Sequence, residues 1–184
     1  MLRNGIELWL AFFAAVLITG LYGLVMIFTR EIPPASELFG HGLGILGFLL
    51  MLMTETLYSI RKRVRTVRFG RMSLWLQLHI FTGLVGPYMV LLHTSWKFNG
   101  LAGVTTLLTL VIVISGFVGR YIYTRIPRSA DGIAMEGSLS AEALKQARRL
   151  MALWHTVHIT IGMALFTAAF VHIGAALYYA TFLN

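Results

Sequence analysis

Apolar residues fall into five long blocks along the 184-residue chain, and the short stretches between them hold most of the charge. The blocks cover about Ile6–Phe28, Leu38–Ile60, Ser73–Trp96, Leu101–Tyr123 and Leu150–Leu183. Each reaches the roughly 20 residues with which an α-helix crosses the hydrocarbon layer of a bilayer. The last helix is predicted to start earlier than its apolar block. Ser138 to Glu142 pairs a serine cap with an acid in the first turn, which suits a helix N-terminus. That helix then carries Lys145, Arg148 and Arg149 at the surface before it enters the membrane. The predicted helices are therefore about 6–28, 38–60, 73–96, 101–123 and 141–183, in a single membrane domain spanning 1–184. Asp131-Gly132 and Glu136-Gly137 read as a turn before the last helix. The first block is longer than the ~7–15-residue core of a signal peptide, and it reads as a retained helix expected to pack on a partner.

Composition agrees with this all-α, polytopic membrane reading. Hydrophobic residues make up 58% of the chain and charged residues 12%, against about 25% charged in a soluble domain. The chain has no cysteine, which excludes disulfides, thiolate-held iron–sulfur clusters and haem attached through Cys-x-x-Cys-His. The net charge of +8 is unevenly placed. Arg61, Lys62, Arg63, Arg65, Arg68 and Arg71 fill the second loop, and Arg125, Arg128, Lys145, Arg148 and Arg149 lie around the fourth. The first and third loops hold little beyond Arg30 and Lys97. Basic loops stay in the cytoplasm, so the N-terminus is expected inside and the C-terminus outside. The basic run abuts a span, so it reads as a topology signal with attraction to anionic membrane lipid, not as a nucleic-acid site.

Four histidines carry the candidate chemistry. His79 and His93 are fourteen residues apart in the third block, and His158 and His172 are fourteen apart in the fifth. Fourteen residues rise about 21 Å and nearly complete four turns, so both histidines of a pair share one helix face. One helix intervenes, so the third and fifth spans run parallel and the two pairs match in depth. Two stacked His–His sites follow: His79 with His158 near the inner face, and His93 with His172 near the outer. Imidazole is a normal axial ligand of haem iron, and a zinc or copper ion would want three or four donors at one place. Two b-type haems are the cofactors this pattern suits. An ionisable group inside a membrane is costly, and its default reading is functional.

Other residues are candidates for supporting roles. His155, three before His158, is either the inner ligand itself or a contact for a propionate or a quinone ring. Arg120 and Arg71 are candidate propionate partners inside, with Lys97 and Arg30 outside. Glu55 and His41, fourteen apart on the second helix, are candidate quinone contacts that Tyr58 and Tyr88 could assist, the better account being a Glu55 paired with Arg61 or a neighbour and an interfacial His41. Gly40, Gly42, Gly44, Gly47, Gly83, Gly86, Gly116, Gly119 and Gly162 give room for a macrocycle or for a neighbouring backbone. For any one of them ordinary helix packing is the better account.

With these pairs in view, the chain resembles the di-haem membrane cytochromes b. Residues of about 37–183 are similar to the N-terminal four-helix haem bundle of cytochrome b in quinol-oxidising bc complexes, where two parallel helices each carry a His-x13-His pair. Trp154 to His158, followed by Val171-His172, also resembles the last haem helix of bacterial cytochrome b561-like and dehydrogenase-anchor cytochromes. The resemblance implies a haem bundle formed by helices two to five, in a multi-pass protein of the bacterial cytoplasmic (inner) membrane. It implies electron transfer between a quinone pool and partner redox subunits, such as a cytochrome c or an iron–sulfur protein. The chain has an additional first helix and lacks the Pro-Glu-Trp-Tyr quinol motif, so the quinone cycle of the bc complexes does not carry over. Two other functions fit the same residues: a free-standing b561-type oxidoreductase, and a haem-free scaffold or transporter whose histidines bind metal or protons.

Overall fold

The computed structural model describes residues 5–63, 71–125 and 141–182, and all the regular structure among them is helical. The helices are α1 (Ile6–Thr29), α2 (Leu38–Arg63), α3 (Met72–His93), α4 (Gly100–Arg125) and α5 (Ala141–Phe182). All five are long and apolar enough to cross a membrane. Their starts fall within a residue of the predicted helices, while α2 runs on to Arg63, past the predicted Ile60, and the end of α3 is instructive. α3 stops at His93 and does not run on to Trp96, because Ser95 and Trp96 turn to left-handed backbone with φ of 48° and 62°. The expected Ser138 cap, the Asp131-Gly132 and Glu136-Gly137 turn, and Arg65, Arg68 and Arg128 lie outside the described residues.

α5 has 42 residues and is therefore about 63 Å long, roughly twice the hydrocarbon thickness. Its first turns, with exposed Lys145, Arg148 and Arg149, exceed what a span requires. Elsewhere the outward faces are apolar: Leu17, Phe28, Leu107 and Met163 are all at least 60% exposed. Helices surrounded by lipid have that pattern, since lipid leaves no penalty on exposed apolar surface.

The chain divides into two compact units, α1–α3 and α4–α5. In the first, α2 and α3 pack antiparallel at very short range. Gly47 of α2 and Gly86 of α3 face each other so closely that a Cβ on either would lie 2.8 Å from the other's carbonyl oxygen. Leu43, Met51, Val85, Met89 and Leu92 are buried around that crossing. The α2 seam reads Gly40, Gly44, Gly47, Met51, Thr54, with steps of four and three. That repeat keeps one stripe of the helix against its neighbour. α1 packs on α3 through buried Ala11 and Tyr22, and Thr19 hydrogen-bonds the Tyr88 hydroxyl across the contact. Tyr22 also meets Phe39 at the start of α2, with ring centroids 6.1 Å apart.

The loop before α2 is tied to the end of α3. The buried Ser95 hydroxyl donates to the Pro33 carbonyl at 2.6 Å. Replacing Ser95 by alanine strands that carbonyl and is expected to cost about 1 kcal/mol. Thermal unfolding of the detergent-solubilised protein measures it, and an unchanged midpoint would show the bond to be dispensable.

In the second unit α4 and α5 also run antiparallel. Trp154 lies over Gly119, where a Cβ would clash with the indole ring, and the Ile112 side chain reaches to 3.9 Å from the Gly162 Cβ position. The Trp154 indole N–H donates to the Ser115 carbonyl at 2.7 Å. Buried Leu165 and Ala169 continue the α5 contact face, while Thr105 and Thr109 are buried on α4 and bond back into their own helix.

Candidate histidine sites

On α3 the two candidate ligands are held in the same way. The His79 ring lies with Nδ1 3.0 Å from the Thr54 carbonyl oxygen, and His93 with Nδ1 2.8 Å from the Gly40 carbonyl oxygen. A carbonyl can only accept, so each Nδ1 carries the proton and donates it. In the neutral ring that tautomer places the lone pair on Nε2. Both acceptors belong to α2, and Gly40 and Thr54 are themselves fourteen residues apart. The antiparallel crossing thus matches a fourteen-residue interval on α3 with an equal one on α2. Such backbone acceptance is the usual way a metal-bound histidine is oriented and made more basic.

The surroundings of the two rings differ. His93 lies flat against Gly44, where a Cβ would come within 2.8–2.9 Å of three ring atoms. His41, exposed on α2, stands edge-on to His93 with centroids 6.4 Å apart. His79 has no glycine seat of this kind. Its acceptor residue is fixed instead by hydroxyls. Thr54 Oγ1 donates to Thr82 Oγ1 at 2.7 Å and is shared with the Leu50 carbonyl at 2.8 Å, while Thr82 donates to the Leu78 carbonyl at 2.8 Å.

In the second unit the structure separates the two inner candidates. His158 is half-buried, stacks on Trp154 at 4.9 Å, and lies with Nδ1 3.0 Å from the Ser115 hydroxyl of α4. His155 is exposed and touches Trp154 only edge-on, at 6.5 Å. His172 is half-buried further along α5, and none of the described side-chain hydrogen bonds involves it. Arg120 is half-buried on α4, next to the glycine that Trp154 covers.

The remaining candidates are scattered. Glu55 is exposed beside Thr54, and α2 holds it about 21 Å along its axis from His41. The two therefore attend different histidines and do not form one pocket. Arg71 is exposed at the N-cap of α3, and Arg30 and Lys97 are exposed at loop positions. The Tyr88 hydroxyl is engaged with Thr19 of α1, and the Tyr58 side chain lies outside the described residues. Among the described residues no group of three or more His, Asp or Glu side chains is placed to hold a metal ion.

The groups that bond the imidazoles, the Thr54 and Gly40 carbonyls and the Ser115 hydroxyl, carry little signal in the sequence. Two of the three partners of ring nitrogens are backbone carbonyls, which every residue possesses. Comparison with protein-family models, with curated proteins and with solved structures finds no match.

Proposed function

We propose that this chain is a di-haem b-type cytochrome subunit, carrying electrons across a membrane between a quinone pool and partner redox proteins. The observation that most supports it is the pair of α3 imidazoles, each donating Nδ1–H to an α2 carbonyl and so keeping its Nε2 lone pair for a ligand. The donor set fits haem b: imidazoles in an apolar chain without thiolates, three of them oriented by hydrogen bonds to a neighbouring helix. His158, stacked and bonded to Ser115, suits the same role better than exposed His155. The assignment of His79 with His158 and of His93 with His172 rests on the equal spacing of the two pairs. When bound, such a haem supplies one-electron chemistry.

The chain's own residues have distinct tasks in this reading. The four histidines bind iron, Arg120 and Arg71 meet propionates, and His155 offers a further polar contact. Glu55 and His41 are the quinone candidates, with Glu55 able to take up a proton. The basic loops support an N-terminus in the cytoplasm and a C-terminus outside, and the proposed setting is the bacterial inner membrane. Charge moving between the two levels is then coupled to the membrane potential, at about 2.3 kcal/mol per 100 mV.

A haem-free scaffold is the second reading, and one observation favours it. Histidine–carbonyl bonds between α2 and α3 also serve as interhelical glue, which membrane helices use in place of a hydrophobic drive. An absorption spectrum separates the two. The purified, reduced protein is expected to show the sharp α-band of bis-histidine haem b and to be reduced by a quinol. A folded but colourless protein would falsify the cytochrome reading. Quinol-dependent turnover by the chain purified alone would favour a free-standing b561-type enzyme over a subunit.

A further inference from the structure

The two candidate haem ligands of α3 accept the same kind of restraint by different means, and the difference assigns a role to a hydroxyl pair. Thr82 is 2% exposed, among the most deeply buried side chains described, and it is polar. A buried hydroxyl in a membrane helix is costly unless bonded. Thr82 is bonded twice: it donates to the Leu78 carbonyl one turn back, and it receives the Thr54 hydroxyl of α2 at 2.7 Å. Thr54 is the residue whose carbonyl holds His79. The side chain and the carbonyl of one residue therefore grip α3 at two neighbouring points, Thr82 and His79. Packing is close as well, for a Cβ on Gly83 would lie 3.4 Å from the Thr54 methyl. His93 has nothing comparable, since its acceptor residue is Gly40, which has no side chain, and its ring is seated on Gly44.

We infer that Thr82, acting through Thr54, is a positioning residue for His79: the hydroxyl pair sets the reach of the Thr54 carbonyl to Nδ1, and so tunes the inner haem without touching it. This rests on the haem reading above. A carbonyl that takes the Nδ1 proton makes the imidazole a stronger donor. A stronger donor favours ferric iron and lowers the haem's midpoint potential. Loosening the grip raises that potential at the His79 site and leaves the His93 site alone.

The test is a redox titration of the full chain, with the two haems assigned through His93→Ala, and with low-spin electron paramagnetic resonance as a second readout. Thr82→Val keeps the shape and removes the hydroxyl. It is expected to shift the His79 haem to higher potential and to change its resonance, with the other haem as internal control. Thr82→Ser restores the hydroxyl and is expected to restore both readouts. If valine is not accommodated and both haems are lost, the smaller Thr82→Ala takes its place. Unchanged potentials, or equal shifts at both haems, overturn the inference while the cytochrome reading stands. A wild-type chain that takes up no haem overturns both.

Discussion

If the chain is the proposed di-haem cytochrome, replacing His93 by alanine is expected to remove about half of its haem, one of the two proposed bis-histidine groups. The remaining pigment should behave as a single species in a redox titration, where the wild type shows two. His93 is fixed by the Gly40 carbonyl and by Gly44 at one end of the α2–α3 seam, and His79 is fixed by Thr54 at the other. Among the described contacts their seats share no side chain, and about 21 Å of helix lies between them. Losing one should leave the other's restraints intact, as expected for sites this far apart. Pyridine haemochrome assay against protein concentration measures it. Full haem content in the variant would mean that iron is held by other residues.

Gly47→Ala should damage both sites at once. The added methyl would sit 2.8 Å from the Gly86 carbonyl oxygen and 3.0 Å from side-chain atoms of both Met89 and Val90. A backbone oxygen cannot swing aside as a side chain can, so the helices must separate. Overpacking of this kind typically costs about 1–3 kcal/mol. Separation also stretches the two carbonyl bonds that flank the crossing, so haem content should fall at both levels along with the thermal midpoint. Gly23→Ala in α1 is the matched control, because nothing lies within 4 Å of its Cβ position. There alanine should be neutral or slightly stabilising, by its better helix propensity. Equal behaviour of the two variants would show that the close α2–α3 approach does not govern the sites.

The elements themselves were legible because their cause is one-dimensional. Twenty or so apolar residues between charged loops define a span whatever it packs against. α2, α4 and α5 accordingly begin within a residue of the predicted starts. The pattern predicts α3 to continue to the apolar Trp96, whereas the chain turns at Ser95, whose hydroxyl bonds Pro33. That contact joins residues 62 apart, and no local pattern contains it. The glycines were legible as small residues but not as partners. Gly47 proves to face Gly86, Gly44 to face His93, and Gly119 to face Trp154.

The histidine spacing was read as a match between α3 and α5. What the fold adds is a match between α3 and α2: the acceptors Gly40 and Thr54 stand at the same interval as the imidazoles they hold. Backbone acceptors cannot be found in a sequence, because residue type does not mark them. Thr82 was invisible for a related reason, since threonine in a membrane helix ordinarily bonds its own preceding turn.

Five spans, where they begin and the period of the histidines follow from the amino-acid order alone, since hydropathy and helical pitch act along the chain. Which nitrogen of His79 and His93 bears the proton, and which of His155 and His158 lies half-buried against α4, came only from the folded structure. Those depend on hydrogen bonds and contacts between helices, and no residue's own chemistry specifies its neighbour.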